Sequence, residues 1–404
     1  MNASILSSID MAPRDPILGL TETFNADTNP KKVNLGVGVY VDDSGKVPVL
    51  ECVKRAESAL ASAGQPHSYL PMDGIAAYNR LAQELVLGTD HPAVTEKRTV
   101  TVQTLGGTGA LKVGADFLHR VSPEAQVWIS DPSWENHQAL FEFAGFDVKS
   151  YPYYDPNTNG CRFDDMLSAF DKMPKGSIVV LHACCHNPTG VDLTAAQWDA
   201  VVKIVQARGL VPFVDLAYQG FGDTLAEDAY AAKAFAAACP AVFIASSFSK
   251  SLSLYGERIG ALSVVTESQN EATRVLSQMK RVIRTNYSSP STHGGQLAAL
   301  VLGSPELRGL WEQELGEMRD RIKLMRKMFV EKIREKRADF DLSYVLKQRG
   351  MFSYSGLSKT QVETLREKYS IYAIESGRIC VAALSTRNID YVTDAVADVI
   401  VSVR

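Results

Sequence analysis

The stretch "SIVVLHACCHNPTGVDLTAAQWDAVVKIVQARGLVPFVD" (177–215) contains three patterns in succession. "SIVVLHA" (177–183) and "LVPFVD" (210–215) are apolar, β-branched runs of strand length. Between them "TAAQWDAVVKIVQARG" (194–209) is apolar at i, i+3, i+4 and i+7 and stops at Gly209, which predicts a helix. The same alternation surrounds this unit, with strands expected at 99–105, 126–130, 241–246 and 260–265. It predicts an α/β fold whose large domain has a mostly parallel mixed sheet flanked by helices, because strands buried on both faces become near-continuous apolar runs.

Beyond Pro305 the pattern becomes one long charged helix (306–336), followed by short strands and two further helices, an expected smaller α+β domain. The division predicted is an arm and part of the small domain at 1–48, a large domain at 49–310 and the rest of the small domain at 311–404.

Composition narrows the functional classes. The 404 residues are 46% hydrophobic and 22% charged with a formal net charge of -4, and no long run of one sign suggests nucleic acid or a membrane surface as partner. No segment approaches the ~20 apolar residues of a membrane span, and the N-terminus lacks signal-peptide features, so a cytoplasmic protein acting on small molecules is expected. Cys52, Cys161, Cys184, Cys185, Cys239 and Cys380 show no C-x-x-C and no framework spacing, and read as reduced thiols.

In an open parallel sheet, ligands bind at the carboxyl ends of the strands. After 99–105 comes "GGTGAL", where Gly107 and Thr108 open a helix and present free N–H groups suited to phosphate. The dinucleotide fingerprint fails there, because Lys112 occupies the place of its third glycine. His182, Cys184, Cys185 and His186 resemble metal ligands. An extended backbone would point Cys184 and Cys185 to opposite faces, so no metal is expected.

Asp215 closes one strand, with Tyr218 three positions on, and 241–246 runs into Ser247 and Lys250. Ser247-x-x-Lys250 matches a serine acyl-hydrolase motif, but the chain has no S-D-N, K-T-G or G-x-S-x-G to accompany it. Pyridoxal 5'-phosphate accounts for all these ends together: Lys250 for the aldehyde, Asp215 for the pyridine nitrogen, and Asn187 and Tyr218 for the phenolate oxygen. Gly107, Thr108, Ser247 and Arg258 would take the phosphate, and Trp134 would cover the ring face.

"SFSKSLSLYGERIGALS", "CCHNPTGVDLT", "FVDLAYQGF", "GGTGALKVG", "DPSWENH" and "NYSSPSTHGG" together resemble the aspartate and aromatic aminotransferases, class I enzymes of fold type I that use pyridoxal phosphate. The likeness runs from "APRDPILGL" to "SGRICVAALSTRNIDYV", effectively the whole chain. It implies that Lys250 bonds the cofactor and then moves the substrate Cα proton, while Tyr69 of the opposite subunit of a homodimer adds a phosphate contact. Arg378 would bind the substrate α-carboxylate, the neighbouring subunit's Arg284 would pair with a dicarboxylate side chain, and Gly38 would line the substrate site. "SLYGERIG" and "NYSSP", with Ser289, resemble the bacterial aromatic branch and "GGTGAL", with Thr108, the aspartate branch, while Val39, Val41 and Val47 leave an apolar wall that could accept an aromatic ring. The expectation is ping-pong transamination between an aromatic or acidic amino acid and a 2-oxo acid, with a dedicated aspartate enzyme as the alternative. A non-catalytic ligand-binding relative is the remaining reading.

Overall fold

The computed structural model describes residues 4–12, 18–64, 66 and 68–402. Residues 13–17, part of the "APRDPILGL" motif, lie outside the described residues. The central sheet has seven strands: β1 (Thr99–Leu105), β2 (Val127–Asp131), β3 (Val148–Pro152), β4 (Ile178–His182), β5 (Val211–Leu216), β6 (Val242–Ser247) and β7 (Ile259–Val265). Their order across the sheet is β1-β7-β6-β5-β4-β2-β3. Strand β7 runs antiparallel to both β1 and β6, whereas the remaining pairs are parallel.

Six expected strands appear within a residue or two of their sequence boundaries; β3 is the addition. It is an edge strand whose "VKSYP" leaves Ser150 exposed, so it lacks the continuous apolar run that marks its neighbours. Every residue of β4, β6 and β7 is buried, as two-sided helical cover requires. One face packs Phe213, Phe243 and Leu262 beneath the helix Gly106–Val121. A Cβ on Gly114 of that helix would stand 2.5 Å from Phe213 Cζ, so glycine permits the helix to approach the sheet this closely. The opposite face packs Leu181, Val214 and Ile244 in a core that continues into the C-terminal helices.

The helix within the opening stretch spans Ala195–Arg208. Thr194 and Gln197 form a reciprocal capping box, and Gly209 ends the helix in the left-handed region at φ 63°. The long C-terminal helix spans Pro305–Lys336 and buries Trp311, Leu315, Met318, Ile322, Met325, Phe329 and Ile333 along one stripe. Its Trp311 Nε1 donates to Ser251 O at 2.6 Å, anchoring it against the loop that carries Lys250.

Two small pairings join remote parts of the chain. Val33–Asn34 pairs in parallel with Ile371–Tyr372, and Phe352–Tyr354 pairs antiparallel with Arg378–Cys380. Residues near the N-terminus therefore pack with the C-terminal part. No described helix is long and apolar enough to cross a membrane.

Candidate active site

Register places the functional groups at one edge of the sheet. His182 is opposite Asp215 across β4 and β5, Leu216 is opposite Ser246 across β5 and β6, and Gly260 lies between Ser247 and Thr104. The carboxyl ends of β1, β4, β5 and β6 thus meet the amino end of β7. This carries Gly106, Asp215, Ser247 and Arg258 to a common place.

Asp215 Oδ2 and His137 Nε2 share a 2.9 Å hydrogen bond, and both side chains are buried. His137, from the helix Glu135–Phe143, is turned by a 2.9 Å contact between its Nδ1 and Ser133 Oγ. Burial alone would raise the Asp215 carboxyl. The hydrogen bond and charge of His137, with His182 and Lys250 behind it, outweigh that and hold it below the ordinary value of 3.8.

Lys250 lies just past β6, with Nζ 4.9 Å from the Tyr218 ring centroid. Burial lowers its amine below the ordinary lysine value; Asp215 acts against this and Arg258 adds to it. Burial likewise pushes the Tyr218 phenol up, against the pull of Arg378. Trp134, half-buried before the His137 helix, meets the His137 ring edge-on at 5.3 Å.

A second group gathers at the start of the helix Gly106–Val121. Gly106 N donates to Arg258 O at 2.9 Å, so "GERIG" does fold back to the strand ends. A Cβ on Gly106 would lie 2.5 Å from Arg258 Nη2, and one on Gly107 would lie 3.2 Å from Ser247 Cβ. Arg258 Nη1 donates to Ser249 Oγ at 3.3 Å, and Ser249 N donates to Ser247 Oγ at 3.2 Å. Among the described residues no side chain caps the helix Gly106–Val121 at its N-cap Leu105, leaving the N–H groups of Gly107 and Thr108 at its positive end. Ser249 was not expected from the sequence; its signal is its place between Ser247 and Lys250.

Arg378 is 1% exposed, and among the described residues no carboxylate forms an ion pair with it. Its Nη1 donates to Asn187 Oδ1 at 3.1 Å and its Nη2 to Gly36 O at 2.6 Å, while Nε has no partner among the described residues. The guanidinium lies 4.3 Å from the Phe352 ring centroid. A Cβ on Gly38 would stand 2.5 Å from Phe352 Cζ, which explains a glycine at that position. A buried cation without a counter-charge is costly, and a carboxylate ligand would relieve that cost. Neither Gly36 nor Phe352 was expected from the sequence.

The expectation that Cys184 and Cys185 point apart fails. Cys185 has φ 52°, so the backbone turns, and both thiols lie within 4.8 Å of each other and of the Asp228 carboxylate. Asp228 already accepts the N–H groups of Gly220, Gly222 and Asp223, at 2.7, 2.9 and 3.0 Å. Their mutual hydrogen bond and burial raise the Cys184 thiol, and burial raises that of Cys185 to about 11. These are protonated thiols beside a satisfied carboxylate. His137, His182 and Asp215 also lie within 4.8 Å, but His137 uses both ring nitrogens as described. Burial lowers His182 to about 3, keeping it neutral, and His186 is held between Ser130 and Thr189 at 2.9 Å each.

Tyr69 and Arg284 are on the surface instead. Tyr69 is 96% exposed, on a concavity of about 430 Å³ lined also by Ser68, Leu70, Ser289, Pro290 and Thr292. Arg284 is exposed and donates to Ser288 Oγ. Among the described residues, neither makes a hydrogen bond or ion pair with Lys250, Asp215 or Arg378. Val39 and Val41 are half-buried, and Val47 is exposed.

Residues 30–396 match the family model for aminotransferases of class I and II. The chain is 57% identical to an aspartate aminotransferase of Pseudomonas aeruginosa, over 98% of this chain and all of that relative. It is 50% identical to the aromatic-amino-acid aminotransferase of Escherichia coli K12, with the same coverage. A solved aromatic-amino-acid aminotransferase from Burkholderia pseudomallei, covalently bound to pyridoxal phosphate, superposes with a TM-score of 0.96 at 62% identity, covering 98% of this chain and 100% of that one. The chain belongs to the class I and II aminotransferase family.

Proposed function

We propose that the chain is a pyridoxal phosphate-dependent aminotransferase passing the amino group between an aromatic or acidic amino acid and a 2-oxo acid, the 2-oxoglutarate/glutamate pair included. Aromatic substrates are the favoured class. What supports this reading most is the convergence of Lys250, an ionised Asp215, Tyr218, Asn187 and a carboxylate-free Arg378 on one end of the sheet.

The donor set fits the cofactor. Gly107, Thr108, Ser247 and Arg258 would hold the phosphate, in a cradle that a side chain at Gly106 would fill. Asp215 would pair with the pyridine nitrogen, Asn187 and Tyr218 with the phenolate oxygen, and Lys250 with the aldehyde. Trp134 would cover the ring. When bound, the cofactor supplies an aldehyde for the amino group and a pyridinium ring that accepts the electron pair left at Cα.

The protein's own groups manage charge and protons. Asp215 keeps its charge through His137 and so would hold a proton on the pyridine nitrogen of the bound cofactor. Arg378 takes the α-carboxylate in a two-bond fork, fixing the amino acid with its Cα toward Lys250. Burial leaves more of the Lys250 amine unprotonated than in water, as removing the Cα proton requires.

Tyr69 and Arg284, exposed here, are assigned to a partner subunit's site in a homodimer. Exposed Ile5, Leu6, Ile9 and Met11 near the N-terminus supply apolar surface for such contact. Segments 1–48 and 311–404 are read as the smaller domain around 49–310, supported by the pairing of Val33–Asn34 with Ile371–Tyr372. A cytoplasmic location is part of the same reading.

The test is a set of half-reactions with aspartate, tyrosine, phenylalanine and histidine, followed by cofactor absorbance. Faster conversion with tyrosine or phenylalanine supports the aromatic assignment. Turnover of aspartate alone would replace it with a dedicated aspartate enzyme. Protein that shows no imine absorbance band after reconstitution would sink the cofactor assignment.

A further inference from the structure

Transamination as described leaves one buried cation without a task. Arg326 lies on the helix Pro305–Lys336, 3% exposed, and no carboxylate pairs with it among the described residues. Burial pulls its guanidinium down to about 10, and Cys185 and Asp192 act against that pull, so it stays charged at neutral pH. Such a charge is tolerated inside a protein only where oxygen acceptors replace its hydration.

The acceptors all belong to one short segment. Arg326 Nη2 donates to Gly350 O at 2.6 Å and to Phe352 O at 3.4 Å, and Nε donates to Ser353 Oγ at 3.3 Å. The Phe352 ring in turn touches three parts of the site. It lies 4.3 Å from the Arg378 guanidinium, meets the Tyr218 ring edge-on at 6.1 Å, and fills the space that a Cβ on Gly38 would need. Its strand is also paired to that of Arg378, with Tyr354 opposite Arg378.

We propose that Arg326 is a positioning residue for the carboxylate grip: by fixing the backbone of Gly350–Ser353 it fixes the Phe352 ring, and through the ring the orientation of Arg378. The inference rests on reading Arg378 as the α-carboxylate site. A planar fork reaches several oxygens in fixed directions, whereas a lysine ammonium is a compact point charge on a flexible stem. A ring beneath a guanidinium leaves the edge of the fork free for a carboxylate.

The experiment compares the wild-type holoenzyme with R326M, R326K, S353A and R378K. The probe is 3-phenylpropanoate, which carries the carboxylate but no amine and is not turned over. Its Kd is measured by calorimetry, alongside KM and kcat for phenylalanine and aspartate. R326M is expected to weaken the probe and raise both KM values about tenfold, with kcat changed less than about threefold, because ground-state binding is what it disturbs. R326K should recover part of the loss, and S353A should raise Kd about threefold.

A purely structural role would lower the fraction of active protein and leave Kd and KM alone, which overturns the proposal. If R326M does not fold, R326K and S353A decide: wild-type Kd in both overturns it. If R378K weakens the probe but the Arg326 variants do not, only this inference falls. If R378K itself binds the probe like wild type, the carboxylate reading of Arg378 falls, and this inference falls with it.

Discussion

Lys250, Asp215, Asn187, Tyr218 and Arg378 meet at the strand ends, where β-sheet register and burial fix their neighbours. Tyr69 and Arg284 belong to the same proposed site, yet both stand in solvent, on and near the concavity between 68–70 and 289–292. In the first region the protein has already desolvated its charges and supplied partners such as His137 for Asp215. In the second the side chains remain hydrated and make only local contacts. An interior group can therefore be assigned from geometry within one chain, whereas an exposed group acquires a role only through what covers it.

The largest expected effect is at the interior lysine. Lys250→Ala should slow the half-reaction by ~10⁴-fold or more and abolish the imine absorbance band, as loss of both nucleophile and proton carrier demands. Activity within tenfold of wild type would break the comparison at its strongest point. Asp215→Asn should slow Cα deprotonation by roughly 10²–10³-fold, because a neutral amide cannot hold the ring proton. Stopped-flow absorbance measures this directly.

Arg378→Lys should lower kcat/KM by about 10²-fold for aspartate and phenylalanine alike, since both carry the α-carboxylate. Arg284→Ala should instead separate them, with a loss of about tenfold or more for aspartate and under threefold for phenylalanine. Equal losses would remove its selective role. Mixing Lys250→Ala and Arg284→Ala subunits sharpens the test, because a shared site would regain aspartate turnover in the hybrid. No regain would mean that Arg284 does not act across an interface.

The smallest effect is on acid stability. Asp215 has its carboxyl held below the ordinary 3.8, so the stability it adds is present above that value and lost as pH falls through the lower folded value. Urea unfolding of apoenzyme should show a shallower acid-side decline in Asp215→Asn than in wild type. Arg284→Ala should leave that profile unchanged, because Arg284 is exposed and its hydrogen bond goes to Ser288, away from Asp215.

Much of this was legible in sequence. Six of the seven strands announced themselves because burial on both faces demands continuous apolar runs, and β3 escaped because an edge needs no such run. The ends of those runs named Asp215, Ser247 and Lys250. His137 stood within the quoted "DPSWENH" but was passed over, since nothing local says that it reaches a carboxylate 78 positions away. Nothing local sets Phe352 apart from other aromatics, and the expectation for Cys184 and Cys185 fails because a left-handed backbone at a non-glycine residue leaves little trace in sequence.

Local order by itself determined the strand–helix alternation, the capped helix ending at Gly209 and the chemistry available at each strand end, because hydrophobic period and capping depend on neighbours a few residues apart. Tertiary structure alone decided that β7 runs against its neighbours, that Arg258 returns to Gly106, and that Arg326 on a distant helix holds the segment bearing Phe352. Those contacts join residues far apart in the chain, and the cost of burying a charge is known only once its surroundings exist.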